Sequence, residues 1–353
     1  MQCFVGSVRR AGNEMNEAKP KSIGRVTIRT VAEDARVSVA AVSKVLRNAY
    51  GVSEAMRVAV GESIERLGYR PSMAARGMLG QTLTIGVLLV GIDNPFLPQV
   101  YAGIAEVADR AGYKVLMGVG ASRMPLEATL IEQMIDNHMD GLVLVAAQIA
   151  GRTLEKYARQ IPIAVIGHHE PTAQSFDTVN CNDALGAAMA VRALYDRGYR
   201  DIGMVGLLTD KTDESDVSPQ REIGFARAIA DLGLGPARIL RVHNFDPDRL
   251  AKIAAHLVSP DRPRALFVWS DLDGITILNM ARQIGLRVPE DLALIAFDNT
   301  TVAALPLIDL ASMDQSGPRL GQLATEALLT RIAGRTVPHH LLLEPTVVLR
   351  SSL

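Results

Sequence analysis

The stretch from Val26 to Leu79 constrains the fold most strongly, because it contains three short helical patterns, each opened by a polar cap. Thr27, Ser38 and Ser53 are the expected N-caps. The helices that follow them are expected at Ile28 to about Ala35, Val39 to Leu46, and Glu54 to Leu67, the last ended by Gly68. A tight break at Arg36-Val37 separates the first two helices. The pattern therefore predicts a helix-turn-helix, whose second helix lies in the major groove of DNA.

The same stretch resembles the head of the lactose-repressor (LacI/GalR) family of bacterial transcription regulators. The family pattern runs A-x-x-A-G-V-S, A-T-V-S-R-V-L-N, V-S-x-x-T-R and L-G-Y-x-P-N-x-x-A-R-S-L. The residues that match it are Ala32, Ala35, Val37, Ser38, Val42 to Leu46, Val52, Ser53, Arg57, Leu67 to Tyr69, Pro71, Ala75 and Arg76. A generic three-helix domain would share the apolar spacing but not this whole set. The resemblance covers nearly everything from residue 26 to the end of the chain.

The resemblance implies which residues contact DNA. The candidates are Ser38, Val39, Ala40, Ser43, Lys44, Arg47, Arg57, Tyr69 and Met78. Val39 and Ala40 stand at base-reading positions and can offer only apolar contact, whereas Lys44 can reach guanine or phosphate. Apart from Met78, the other candidates are expected on the phosphate backbone, where contacts position the protein without specifying sequence. Arg36 departs from the Gly or Asn that the family places at the turn, where positive φ is expected and a side chain costs roughly 1 kcal/mol.

Residues Met73 to Leu79 match the family's hinge helix, which orders on DNA and opens the minor groove with a leucine. Met78 stands at the position of that leucine and is a suitable apolar wedge between base steps. Gly77, where the family usually has Ser, is a poor helix former that costs about 1 kcal/mol relative to Ala. A flexible linker is the alternative for this segment.

Charge is distributed unevenly along the 353 residues, whose net charge is only −1. Between Lys21 and Gly80, ten Lys and Arg residues stand beside five Asp and Glu, so the remainder of the chain is acidic. A basic head on an acidic body is expected of a protein that docks one end on phosphate. A charge run is usually only a solvated face, so this asymmetry supports the motif and does not replace it.

Cysteine content and the N-terminal segment bear on the cellular compartment. Cys3 and Cys181 are far apart and form neither a disulfide nor a metal-ligand pattern, which predicts a cytoplasmic protein without a metal or other cofactor. The sequence contains no apolar run of about eighteen residues that could span a membrane. Residues 1–24 lack a signal-peptide core and are expected to be a disordered leader, or to precede the true start, with Met15 as a candidate.

From Leu83 onward, continuous apolar runs alternate with helical patterns, and a second round of this rhythm starts near Asp183. The alternation predicts an α/β fold with parallel sheets covered on both faces. Two doubly wound lobes in series predict a periplasmic-binding-protein-like fold, with ligand in the cleft at the strand ends. The expected domains are a helix-turn-helix at 25–70, a hinge at 71–82, and an effector-binding and dimerisation domain at 83–353. Its N-lobe is expected at about 83–181 and 314–340, and its C-lobe at about 182–313 and 341–353.

Polar and aromatic residues at the predicted strand ends are the candidates for effector binding. They are Asp93, Asn94, Phe96, His168, Arg221, Ser270, Asp271 and Asp298. Arg221 matches a family arginine that binds sugar hydroxyls or carboxylates through its planar fork, and it is the strongest candidate together with Asp298. Helix capping is the alternative for Asn94 and Asp271, and His168 and His169 could instead lie on the surface.

These features favour a ligand-responsive repressor that binds a palindromic DNA operator as a homodimer. The expected effector is a sugar or a sugar acid, with a purine as the third alternative. The absence of C-terminal heptads predicts no coiled-coil tetramer. A sugar-binding transport receptor would share the lobes but needs a secretion signal and no basic head. An enzyme is the third class, but dinucleotide, Walker and nucleophile-elbow motifs are absent from the sequence.

Overall fold

The computed structural model describes residues 26–47, 49–70, 81–208 and 215–353. The chain divides into two compact units, residues 1–75 and 76–353, and we describe each separately as the head and the body. The expected leader at residues 1–24 and the expected hinge helix, including Met78, lie outside the described residues. Among the residues described, none of the helices has the length and apolar character needed to cross a membrane.

The head consists of three helices: α1 (Ile28–Asp34), α2 (Val39–Leu46) and α3 (Glu54–Leu67). The three predicted caps are confirmed, since the side chains of Thr27, Ser38 and Ser53 accept hydrogen bonds from the backbone N–H groups of Thr30, Ala41 and Met56. Gly68 ends α3 with φ of 61°, in the left-handed region that suits glycine. The small core contains one or more buried residues from each helix: Val31, Ala32, Val42, Val60 and also Tyr69.

The N-lobe of the body contains one six-stranded sheet in the order β11-β5-β4-β3-β1-β2, with all pairings parallel. Its strands are β1 (Thr84–Leu89), β2 (Lys114–Val119), β3 (Gly141–Val145), β4 (Ile163–Ile166), β5 (Asp177–Cys181) and β11 (His340–Leu343). Its helices are α4 (Phe96–Arg110), α5 (Met124–Asp136), α6 (Gly151–Ala158) and α11 (Gly317–Ile332). The strands β1, β3 and β4 are buried along their whole length, as a sheet covered on both faces requires.

The C-lobe repeats this plan with a sheet in the order β12-β10-β9-β8-β6-β7. Its strands are β6 (Ile202–Leu208), β7 (Arg238–His243), β8 (Ala265–Val268), β9 (Ala293–Phe297), β10 (Ala311–Asp314) and β12 (Thr346–Val348). Its helices are α7 (Asp183–Asp196), α8 (Val217–Asp231), α9 (Arg249–Val258) and α10 (Asp271–Gln283). Strand β12 runs antiparallel to β10, whereas the other described pairings of this sheet are parallel.

Within the described part of the body, the chain passes between the lobes three times: after β5, after β10 and between β11 and β12. The last passage follows Leu343, slightly later than the boundary at 340 and 341 expected from sequence. Sequence patterns missed β5 and β10, because both are short strands in which polar residues interrupt the apolar run. In β5, for example, the buried Asp177 accepts hydrogen bonds from Arg331 and Arg335.

Candidate functional site

The helix α2 exposes the face that was predicted to read DNA. Ser38, Val39, Ala40, Lys44 and Arg47 are exposed, and Val39 presents 41% of its surface. On the opposite face, Val42 is fully buried in the head core. Ser43 is half-buried, and its carbonyl accepts a hydrogen bond from Nε of Arg47 at 3.3 Å. The N-terminal end of α2 is therefore free of the head's own core.

The turn before α2 contains Arg36 with φ of 55°, so the left-handed conformation expected at this position is present. A non-glycine residue in this region costs roughly 1 kcal/mol. Two hydrogen bonds join the end of α1, next to this turn, to α3. Asp34 accepts them from Ser63 at 2.6 Å and from Arg66 at 2.5 Å. These two hydrogen bonds lower the pKa of Asp34, and the one from Ser63 has the larger effect.

Two of the residues expected on the DNA backbone also have contacts within the head. Tyr69 is only 7% exposed, and its ring packs in the head core. Arg57 is half-buried, and its guanidinium donates to the carbonyl of Ala49 at 3.5 Å. Packing accounts for the presence of Tyr69, whereas its contact with phosphate stays a prediction.

A cavity of about 480 Å³ lies in the cleft of the body, at the carboxyl ends of the strands of both lobes. Six of the eight predicted effector residues line it: Asp93, Asn94, Phe96, Arg221, Ser270 and Asp298. Residues that the sequence did not single out line it as well, among them Asp183, Phe245, Arg249, Trp269, Asp273 and Gln315.

The structure places the other two predicted residues, His168 and Asp271, away from this cavity, and their contact with an effector stays a prediction. Neither residue lines the cavity, and both are buried. Nε2 of His168 donates to Glu170 at 2.8 Å. Asp271 accepts hydrogen bonds from the N–H of Thr300 at 2.6 Å and from the Ser312 hydroxyl, so it fixes the loop after β9. A position at a strand end does not determine which way a side chain points.

Arg221 is the central cation of the cavity and is only 3% exposed. Its Nε donates to Oδ1 of Asp183 at 2.8 Å, and its Nη1 donates to the carbonyl of Trp269. The guanidinium carbon lies 3.7 Å from the centre of the Phe297 ring, which adds a cation–π contact. These contacts hold the guanidinium plane in one orientation at the wall of the cleft.

Asp298 joins the two lobes across the cleft. Its Oδ2 accepts from the amide of Asn94, an N-lobe residue, at 3.0 Å, and its Oδ1 accepts from Gln315 at 2.6 Å. Burial raises the pKa of Asp298 to about 7, assisted by the Asp271 charge and opposed by Arg221, whose Nη1 lies 4.0 Å away. The carboxyl group of Asp298 is therefore able to hold a proton close to neutral pH.

The shifted pKa of Asp298 predicts a pH dependence of stability. The ordinary pKa is 3.8, so between about pH 4 and about pH 7 the folded protein holds a proton that the unfolded chain has lost. The free energy of unfolding is therefore expected to fall as pH rises through this window. Asp298→Asn should flatten that slope in urea unfolding, with Asp93→Asn as the control for an exposed cleft carboxylate. An unchanged slope in Asp298→Asn would assign the proton to another group.

A second ion pair forms the C-lobe wall of the cavity and was missed by sequence. Asp273 binds the guanidinium of Arg249 with Oδ1 and accepts from the indole N–H of Trp269 with Oδ2. The indole ring is thereby fixed as a flat apolar surface. Trp269 directly precedes Ser270 at the end of β8, so the signal that located Ser270 could also have located it. No sequence pattern marked Asp183 as a residue of the cleft.

Comparison with known proteins decides the family. The "Ribose operon repressor" of Haemophilus influenzae is 30% identical over 332 residues, which cover 93% of this chain and 98% of that protein. The chain belongs to the lacI family of bacterial regulatory proteins. The family model "Bacterial regulatory proteins, lacI family" matches residues 27–72, and the "Periplasmic binding protein-like domain" model matches residues 191–353. The resemblance and the fold class predicted from the sequence are confirmed.

Further relatives of this lacI-family chain are similar over the same length. The "HTH-type transcriptional repressor PurR" of Escherichia coli is 30% identical over 335 residues, covering 93% of this chain and 96% of the relative. The lac repressor dimer bound to operator and the anti-inducer ONPF has the same fold, with a TM-score of 0.77 at 23% identity, covering 93% of this chain and 98% of that one. A complex of the regulator CelR with cellobiose gives a TM-score of 0.69 at 25% identity, covering 93% and 100%.

The comparisons establish the general function of this lacI-family chain. It is a DNA-binding transcriptional regulator whose body is an effector-binding domain. The transport-receptor alternative is not favoured, because the lacI-family model matches the head. The relatives are transcriptional repressors and not enzymes.

Proposed function

We propose that this chain represses transcription as a homodimer bound to a palindromic operator, and that a sugar in the cleft controls its affinity for that operator. The single observation that supports the effector site of this proposal is the buried Arg221–Asp183 pair at the wall of a cavity of about 480 Å³. A buried guanidinium is costly unless it is paired, and its fork suits the oxygen atoms of a ligand. A cytoplasmic location follows from the proposed operator binding.

The composition of the cavity favours a neutral sugar over a sugar acid. Arg221 and Arg249 are each paired with an aspartate, and Asp93 and Asp298 add further carboxyl groups. Both guanidinium groups are thus already neutralised by aspartates, so a ligand carboxylate would find no uncompensated cation among these lining residues. Polar groups that converge beside the flat faces of Trp269 and Phe96 suit a ring with hydroxyls at its edge. The regulator CelR, which is similar to this chain, is known in complex with cellobiose, a neutral sugar, and a purine is the second candidate.

The domain boundaries expected from sequence are part of the proposal. Residues 25–70 would bind DNA, residues 71–82 would form the hinge, and residues 83–353 would bind effector and dimerise. Met78 would enter the minor groove as the apolar wedge. One head contacts few bases, and two heads on half-sites about one helical turn apart multiply the discrimination.

The effector class is tested by thermal unfolding of the full chain against matched ligands: neutral sugars, the corresponding sugar acids, and purines. A ligand at 100 times its dissociation constant adds about 2.7 kcal/mol of stability. Neutral sugars are expected to stabilise the body and the corresponding acids to do so less. Stabilisation by purines alone would overturn the sugar assignment.

Lys44→Ala is expected to weaken operator binding while both units remain folded. If Lys44 contacts guanine, the loss is about 1–3 kcal/mol and specificity relaxes at one base pair; if it contacts phosphate, the salt slope falls by about one. Gel shifts at several salt concentrations distinguish the two cases, and Met78→Ala tests the wedge in parallel. Lys114→Ala, an exposed lysine of the body, is the charge-matched control. Unchanged affinity in both Lys44→Ala and Met78→Ala would refute this docking geometry.

A further inference from the structure

Asp183 binds two partners, one with each carboxylate oxygen. Oδ1 accepts from Nε of Arg221, and Oδ2 accepts from Nε2 of His169, both at 2.8 Å. Asp183 is only 1% exposed, so water does not compete for these oxygen atoms. Burial raises the pKa of Asp183, but Arg221 and His169 outweigh it and hold the pKa below its ordinary value. The carboxylate is therefore ionised and fixed from both sides.

His169 reaches Asp183 from the other lobe. It lies in the loop between β4 and β5 of the N-lobe, whereas Asp183 begins α7 and Arg221 lies on α8 of the C-lobe. The backbone N–H of His169 also donates to the carbonyl of Ser215, just before α8, at 2.6 Å. This loop therefore contacts the first residue of α7 and the residue that precedes the N-cap of α8.

The loop that presents His169 is fixed by a residue of β5. The side-chain oxygen of Asn180 accepts from the N–H groups of Gly167 and His168 at 2.8 and 2.9 Å. Its amide nitrogen donates back to the carbonyl of His168 at 2.8 Å. His169 is thus held in place before any ligand enters the cleft, as preorganised binding requires.

We propose that His169 is a positioning residue of the cleft, which through Asp183 orients the Arg221 guanidinium for its ligand. Because His169 and Asp183 belong to different lobes, the His169–Asp183 distance depends on the angle between the lobes. A ligand that binds Arg221 therefore changes, through Asp183, the free energy of the contact with the N-lobe. This inference rests on the proposed role of the cleft as the effector site.

The test is an NMR spectrum of the arginine side chains in the full chain, labelled with nitrogen-15 only in arginine. The Nε–H signal of Arg221 is assigned by its loss in Arg221→Lys. His169→Ala is expected to move this signal toward that of exposed arginines and to speed its exchange with water by at least about tenfold. His169→Gln, whose side-chain amide can still donate to Asp183, is expected to retain the wild-type signal.

Glu170→Ala is the matched control, because it removes the neighbouring contact to His168 on the same loop. The Arg221 signal is expected to stay in place in this variant. An unchanged signal in His169→Ala would overturn the proposal, as would equal perturbation in His169→Gln or Glu170→Ala. The measurement needs no effector, so its outcome is independent of whether the ligand screen succeeds.

Discussion

Arg221→Ala is expected to abolish the response to effector and to lower the free energy of unfolding of the body by about 3–5 kcal/mol, because removing one partner of a buried ion pair leaves the other charge uncompensated. The residue left behind is Asp183, which is buried and would keep its contact with His169 but lose the guanidinium. Urea unfolding and a thermal-shift titration with the sugar found in the screen measure the two effects. Operator affinity in the absence of effector is expected to remain close to that of wild type.

Arg221→Lys is the matched control, because it keeps the charge but loses the planar fork. It should restore much of the stability and little of the effector response. The double variant Asp183→Leu with Arg221→Met should also recover stability, since apolar replacement of a buried pair is often neutral. A normal effector response in Arg221→Ala would remove this residue from the site, and unchanged stability would refute the pairing.

Gly224→Ala is expected to destabilise the body strongly, because α7 and α8 approach each other closely at this residue. A Cβ on Gly224 would lie 2.0 Å from the backbone oxygen of Ala184, the neighbour of Asp183. Backbone cannot move aside as a flexible side chain can, so the two helices must separate. Overpacking of this kind costs about 1–3 kcal/mol or more. Urea unfolding should show the loss, and ligand titration should show weaker effector binding.

Variants of two other glycines distinguish general destabilisation of the body from displacement of the Arg221–Asp183 pair. Gly103→Ala would bring a Cβ to 1.9 Å from the backbone oxygen of Pro318, in the packing of α4 on α11, far along the chain from the ion pair. It should destabilise the body without displacing Arg221. Gly61→Ala, in α3 with open space around it, should instead stabilise the head by about 0.5–1 kcal/mol. If Gly224→Ala is as stable as wild type, the result would contradict the close packing of α7 against α8 at this residue.

The elements that local signals specify could be predicted from the sequence. The caps Thr27, Ser38 and Ser53 lie where the polar-then-apolar pattern placed them, since an N-cap satisfies backbone groups within three residues. The strands of both lobes that are buried on both faces were likewise visible as continuous apolar runs, as β1 and β9 show.

The cleft was predictable only in part, because the direction of a side chain and its distant partners are set by the tertiary structure. Ser270 and Asp271 are adjacent in the sequence, yet only Ser270 lines the cavity. Asp183 pairs with Arg221 from 38 positions away, and no local pattern marks that pairing. Strands β5 and β10 were missed for a related reason, since polar residues with buried partners, such as Asp177 and Ser312, interrupt their apolar runs.

The most direct test of the central claim is selection of DNA from a random library by the purified full chain, followed by gel shifts of the selected sequence with and without the sugar found in the screen. The account predicts an inverted repeat bound with a dissociation constant of about 10⁻⁸–10⁻¹¹ M at physiological salt, and an affinity that the sugar changes. Binding to all sequences alike, governed by salt alone, would contradict an operator-specific regulator. Selection of an inverted repeat whose affinity no cleft ligand alters would contradict effector control.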